Sequence, residues 1–356
     1  MFVISIDLGY GWVKGCNSEG KEICIPSFVG SGHERRIADE LNQEVDELDN
    51  IHVVIDGKHY FVGELAKRES LDKTYTLDTY KISHPMTKIL LATVAAMLAS
   101  REPQDTHIVT GLPYGDFDYQ KDEMEDFLTH FYSAVQFISG PHRSKTKKIQ
   151  FKKHSILPQA AGALIPRKNN NVMSSEYLEG VIDVGYKTCD VVAFETRGKS
   201  TFLRTDLCDT IDMATSNVYE LLQKTIRAQI GCRLDVSQIE SAIIKQYIIY
   251  RGKKHSIKDE INQAKQAIAK TIIDLVRSKW RDNTDLMEHI YLIGGGVLLL
   301  EDTLKEIHPE TIIVENPQLA NAAGYFKIIS AQYDISTYEA ETEKPLNLGN
   351  MKFCIA

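Results

Sequence analysis

The stretch Ile6-Asp7-Leu8-Gly9-Tyr10 returns as Ile182-Asp183-Val184-Gly185-Tyr186, about half of the 356-residue chain later. Each copy closes an apolar, β-branched run (Phe2-Val3-Ile4-Ser5-Ile6 and Val181-Ile182) and opens a glycine turn. Such runs read as buried strands. Each copy therefore sets a carboxylate at a strand end, beside a turn with bare backbone N–H groups. One Asp-x-Gly is common turn chemistry. Two in matching context point to a duplicated phosphate-binding fold, with Asp7 and Asp183 flanking the Mg²⁺ of a nucleotide.

The bulk of the sequence fits an enzyme-sized chain of two domains, since its length exceeds what one hydrophobic core usually supports. Hydrophobic residues make up 43% and charged residues 25%, near the averages for globular proteins. A net charge of −8 argues against direct nucleic-acid binding, which needs a cationic surface. The cysteines Cys16, Cys24, Cys189, Cys208, Cys232 and Cys354 form no C-x-x-C pair, as expected of reduced thiols in a cytoplasm. The apolar start is short and lacks a basic region, so no signal peptide is expected. Ile89 to Ala99 is too short to span a bilayer and reads as a buried helix.

Strand-like runs at 2–8, 12–16, 51–55, 107–112, 149–153, 180–184, 189–194, 290–293 and 311–314 alternate with helical periodicity. The latter covers 86–100, 119–134, 210–230, 236–251, 259–281 and 318–331. The mixture indicates α/β layers. Residues 28–85, with the acidic run Asp39 to Asp49 and a hairpin at Asp56-Gly57, read as an insertion on the first domain. The polar stretch Arg167 to Tyr177 reads as a crossover between domains. The basic run Arg143 to Lys153 reads as a solvated strand edge.

Chemistry concentrates in five segments. In Asp7 to Lys14, Gly9 and Gly11 let N–H groups pack against an anion, and Lys14 could reach a phosphate as a point charge; an ordinary exposed lysine is the bland alternative. Asp183 to Asp190 is the matching hairpin, in which Thr188 and Asp190 are equally well explained by pairing and turn satisfaction. Ile290 to Val297 runs a strand into Gly294, Gly295 and Gly296 before a helix near Leu299, where a nucleoside could lie against backbone. Leu157 to Leu164 reads as a short small-residue helix on which Gln159 could orient a water or simply be exposed. Pro317 to Gly324 has the same small-residue character.

Taken in chain order, the segments resemble phosphate 1, connect 1, phosphate 2, adenosine and connect 2 of the actin-like ATPase superfamily. The likeness spans most of residues 1–331. Asp7-Leu8-Gly9-Tyr10-Gly11 with Lys14, Thr110-Gly111-Leu112-Pro113 and Leu319-Ala320-Asn321-Ala322-Ala323-Gly324-Tyr325 look most like the bacterial plasmid-segregation actins of the ParM type and their archaeal relatives. The resemblance implies an actin-like (ribonuclease H-like duplicated) α/β fold with two lobes around a nucleotide cleft. Lobe I would be 1–166 plus 317–356, and lobe II 167–316. It also implies ATP, or alternatively GTP, with Mg²⁺ held through water by Asp7 and Asp183. Gly9, Tyr10, Gly11, Lys14, Gly185, Tyr186, Lys187, Thr188 and Gly294 to Gly296 would bind the nucleotide, and Gln159 would position water. Tyr186 and Lys187 depart from the family, which often has smaller residues there. The implied function is a self-assembling filament that moves plasmid DNA through a DNA-binding adaptor, with no membrane contact. A small-molecule kinase on the same fold is the alternative; it would need an added base, for which Asp116 and Asp118 are the candidates. A heat-shock-type chaperone is disfavoured because only residues 332–356 remain after the last segment.

Overall fold

The structure, a computed structural model, describes residues 1–35, 46–74, 81–100, 106–139, 143, 145–160, 176–198 and 200–333. Most of the acidic run, the expected crossover at 167–175, the end of the 157–164 segment and the tail beyond 333 lie outside the described residues. The chain divides into two compact units, Met1–Ile165 with Leu319–Leu348 and Pro166–Gln318 with Gly349–Ala356.

In the first unit the strands are β1 (Phe2–Leu8), β2 (Trp12–Asn17), β3 (Glu22–Pro26), β4 (Val29–Ser31), β5 (Ile51–Ile55), β6 (Lys58–Val62), β7 (Thr106–Leu112), β8 (Ser133–Phe137), β9 (Thr146–Ile149) and β10 (Lys153–Pro158). The main sheet runs β10-β7-β1-β2-β3, antiparallel through the hairpins and parallel across β1, β7 and β10. The second unit holds β11 (Glu176–Val184), β12 (Cys189–Arg197), β13 (Ser200–Leu203), β14 (Asp209–Ile211), β15 (Tyr247–Tyr250), β16 (Lys253–Ser256), β17 (Met287–Ile293) and β18 (Thr311–Ile313). Its main sheet runs β13-β12-β11-β17-β18. Both sheets follow one plan: a three-strand meander, then two parallel strands added on the far side of the first. The repeated sequence falls on the same strand of each sheet, β1 and β11.

Strand periodicity explains why β1 is buried throughout. Phe2, Ile4, Ile6 and Leu8 pack into the large core with the helix Pro85–Leu98. That helix starts at Pro85 with His84 accepting from the Met86 N–H, and nearly every side chain on it is buried. On the opposite face Val3 packs with Val109, Ala322, Tyr325 and Phe326 under the helix Ala320–Gln332. Ser5 and Cys16 hydrogen-bond the Ala322 carbonyl from the same side. Asp7 shares that face by the period of two.

Several expectations change. The run expected as one strand at 149–153 is the end of β9 and the start of β10, with a break at 150–152. The helix expected over 119–134 is Phe117–Thr129, and its last residues give way to β8. The 236–251 helix stops at Lys245, where Gln246 adopts a left-handed conformation and leads into the β15–β16 hairpin. The insertion at 28–85 is not self-contained: its β4-β6-β5 strands continue into β8 and β9. Lys147, on the edge strand β9, is not merely solvated. Its ammonium donates to the Ala96 and Ala99 carbonyls at the end of Pro85–Leu98, satisfying carbonyls a helix end leaves unpaired.

Gly111 faces the ring of Tyr325, which is fully buried, and a Cβ there would overlap that ring. Gly111→Ala should therefore lower unfolding free energy by about 1–3 kcal/mol, read from urea denaturation; an unchanged midpoint would show that the helix yields freely. Two buried histidines make a second prediction. Burial, with His59, Arg35 and His33 nearby, lowers the pKa of His52 to about 4, and burial with Lys153 and His154 does the same for His107. Both stay neutral in the fold while the unfolded chain protonates near 6.5, so their contribution is present above that pH and lost as pH falls toward 4. Urea midpoints should drop between pH 7 and 5, and drop less in His52→Gln.

Candidate functional site

In the first unit the site grows from the β1–β2 hairpin. The register pairs Asp7 directly with Lys14, and the Lys14 ammonium lies 3.2 Å from Asp7 Oδ2. Both residues are almost excluded from water. The other oxygen, Oδ1, accepts from the Gln159 side-chain amide at 3.0 Å. Gly9 is required for space: a Cβ would lie 2.5 Å from the Trp12 carbonyl oxygen and 2.9 Å from Lys14 Nζ. The ammonium thus rests against the turn's backbone. Ser27 clamps the turn from β3's end, its hydroxyl donating to Gly9 O at 2.7 Å and its N–H to Gly11 O at 2.8 Å. A water-sized cavity of about 20 Å³ opens beside it, lined by Gly9, Tyr10, Ser27 and Thr87 among others.

Gln159 does not sit on a helix. Lys153–Pro158 is a strand paired with β7, and Gln159 extends that pairing by donating its N–H to Leu112 O at 2.7 Å. Ala160 then turns with φ of 67°, a conformation costly without glycine, and its N–H is held by Asn321 Oδ1 at 3.0 Å. Residues 157–160, read as the start of a helix, are the end of a strand and a turn. Gln159 is fixed on both sides of its own peptide unit and aimed at Asp7.

In the second unit Asp183 ends β11 beside Gly294, whose φ of 89° suits only glycine and where any Cβ would collide with Asp183 Oδ1. Gly185 closes the turn by donating to Thr188 O at 2.9 Å. Its own carbonyl accepts from the Thr215 hydroxyl at 3.1 Å, at the start of the helix Thr215–Ile230. Gly296 N donates to Val184 O, and Gly294 N to Pro317 O, so the three-glycine turn is stitched to the Asp183 hairpin. The helix following it begins at Val297. Tyr186 turns its ring inward against Tyr219, centroids 5.8 Å apart; it offers the loop backbone, not an exposed ring. Lys187 and Thr188 remain half-buried at the tip.

Sequence reading thus reached Asp7, Lys14 and Gln159, which the structure joins, and Asp183, Gly185 and Gly294 to Gly296, which it also joins. It missed Ser27, Thr215 and Asn321. Asp116 closes a short turn and Asp118 lies in the first turn of Phe117–Thr129.

Residues 5–162 match the family described as actin like proteins, N terminal domain, and residues 181–306 match archaeal actin homologue MreB-like, C-terminal. A ParM filament structure from Clostridium botulinum is 31% identical, with a TM-score of 0.84, over 92% of this chain and 98% of that one. The chain belongs to the actin-like ATPase superfamily. An archaeal actin homolog from Thermoplasma acidophilum is 22% identical over 91% of this chain and 98% of its own length. An archaeal actin homolog solved in complex with ADP superposes with a TM-score of 0.73 at 20% identity, over 93% and 100% of the two chains.

The donor set of this actin-like chain fits Mg²⁺ held through water. Each Asp7 oxygen has one protein donor and keeps lone-pair capacity for water. In the second unit the register sets Asp183 opposite Asp190. Like charges facing across a ladder are unfavourable, and the Thr210 hydroxyl donates to Asp190. Cys189 registers this local field: burial first, then Asp190 and Asp183, push its thiol well above the usual range.

Lys14→Met leaves the Asp7 charge buried with only the Gln159 amide. It should cost about 3 kcal/mol in urea unfolding of the nucleotide-free chain, and adding Asp7→Asn should restore most of that. A single-variant loss below about 1 kcal/mol would mean that the pair is effectively solvated.

Proposed function

We propose that this chain is a nucleotide-dependent, filament-forming ATPase that assembles with copies of itself. The observation that carries the reading is the pair of Asp-Gly hairpins at equivalent ends of two sheets with one strand order. Its support from comparison is the 31% identical ParM, which was solved as a filament, and the ADP complex of an archaeal actin homolog. In this reading residues 1–166 with 317–356 and residues 167–316 are the two lobes, and each hairpin is a phosphate-binding element. The cargo is plasmid DNA, reached through a DNA-binding adaptor, and the chain works in the cytoplasm. Among the described residues no helix is long and apolar enough to cross a membrane.

Catalysis in such a site is positioning and electrostatics. Mg²⁺, when bound, supplies charge neutralisation at the phosphates. Lys14 offsets charge developing on the phosphoryl oxygens. Backbone N–H groups of the Gly9 and Gly185 turns and of Gly294 to Gly296 hold the phosphates and nucleoside. Gln159 orients the attacking water; being uncharged it is a poor base, so slow turnover is expected. Because Gln159 also donates to Asp7, water placement is tied to the state of that carboxylate.

With Mg²⁺ present, ATP or GTP should make the purified chain pellet and scatter light, whereas ADP or no nucleotide should leave it soluble. Asp183→Ala should stay folded by circular dichroism and lose most phosphate release. Solubility in all four conditions, with transfer of phosphate to a small molecule, would replace this reading by the kinase one. Wild-type turnover in Asp183→Ala would remove the role assigned to Asp183.

A further inference from the structure

At the opposite end of β11 from Asp183, the side chains of Glu179, Glu288 and His289 converge. Their ligand atoms all lie within 4.8 Å of one another. Adjacent strand residues ordinarily point to opposite faces, so Glu288 and His289 should not share a target. They do because the β11–β17 register breaks here. Leu178 pairs with Met287 but Glu179 pairs with His289, leaving Glu288 as an extra residue on β17. Such a bulge re-aims a side chain.

We propose that Glu179, Glu288 and His289 form a binding site for a divalent transition metal, of which Zn²⁺ is the type. His289 Nδ1 is shielded from water and has no hydrogen-bond partner among the described residues, yet it faces Glu179 Oε1 at 4.0 Å. An orphaned buried nitrogen beside a carboxylate is what a metal ligand looks like without its ion. Glu179 is oriented by the Tyr291 hydroxyl, which donates to Oε1 at 3.0 Å, the outer-shell support that ligating carboxylates usually have. The Tyr291 ring also stacks on His289, 19° from parallel, fixing the imidazole plane. Ligands at about 2.1 Å from Zn²⁺ stand about 3.4 Å apart in a tetrahedron, so closing the site takes small side-chain rotations, easiest for the exposed Glu288. One imidazole with two carboxylates suits Zn²⁺ better than Mg²⁺, which prefers all-oxygen shells.

The site is separate from the nucleotide residues. Four residue steps along the strand, roughly 13 Å at about 3.3 Å each, divide Glu179 from Asp183. A metal here would staple β11 to β17, whose other ends carry Asp183 and Gly294.

The test is calorimetric titration of ZnCl₂ into chelator-treated, nucleotide-free full-length protein, with the Co²⁺ spectrum as a second readout. The expected result is one Zn²⁺ per chain and a Co²⁺ spectrum without thiolate charge-transfer bands. Glu179→Gln, Glu288→Gln and His289→Gln should each weaken Zn²⁺ binding by about tenfold or more. Glu288→Gln alters an exposed side chain and keeps the test sound if His289→Gln misfolds. The proposal is overturned by no uptake in the wild type, by thiolate bands that assign uptake to cysteines, or by affinity in Glu288→Gln within about twofold of wild type.

Discussion

The Asp7–Lys14 ion pair is the constraint around which the first unit's site is arranged. Two charges nearly out of water cost several kcal/mol each before their attraction offsets it, so every neighbouring polar group has to be placed. The hairpin register brings the partners face to face. Gly9 leaves room for the ammonium, and Gln159 supplies the second oxygen's donor. The turn holding Gln159 is in turn tied by Asn321 on the helix that covers the same face of β1. Gln159 is thus aimed at Asp7 without belonging to a regular element, held by its own N–H on Leu112 O and by the Asn321-tied turn after it.

The second unit starts from the same plan and solves it differently. Where β2 presents Lys14 to Asp7, β12 presents Asp190 to Asp183. The first hairpin sets a cation opposite its aspartate; the second sets a carboxylate there, and a glycine turn presses against Asp183. One sheet topology therefore carries two different cross-strand pairs, Asp7 with Lys14 and Asp183 with Asp190. The two aspartates that look alike in sequence face different electrostatic tasks.

Much of this was legible in the residues because the central strands are buried on both faces and so read as unbroken β-branched runs. Phe2–Leu8 and the 181–184 end of β11 are of this kind, and the Asp-x-Gly-Tyr repeat pinned the duplication. Legibility failed where local and tertiary preferences diverge. Leu157 to Leu164 has helix-forming composition, but parallel pairing of Pro158 with Leu112 holds its start extended. The periodicity across 236–251 ran through Gln246, a residue that gives no warning of a left-handed turn. Ser27, Thr215 and Asn321 each act by hydrogen bonding to a turn distant in sequence, with no spacing to reveal it.

The bulge at Glu288 shows the same limit from the other side. Strand alternation by itself would place Glu288 and His289 on opposite faces of β17. The single extra residue on β17 cancels that alternation locally and keeps it everywhere above, so that Leu292 and Ile293 still meet Ile182 and Asp183 in register. The strand pair can therefore gather three ligating side chains at one end without shifting the carboxylate and glycine turn at the other. A one-residue irregularity is enough to let two strands serve two different sites, because the side-chain period of two resets within a residue of the break.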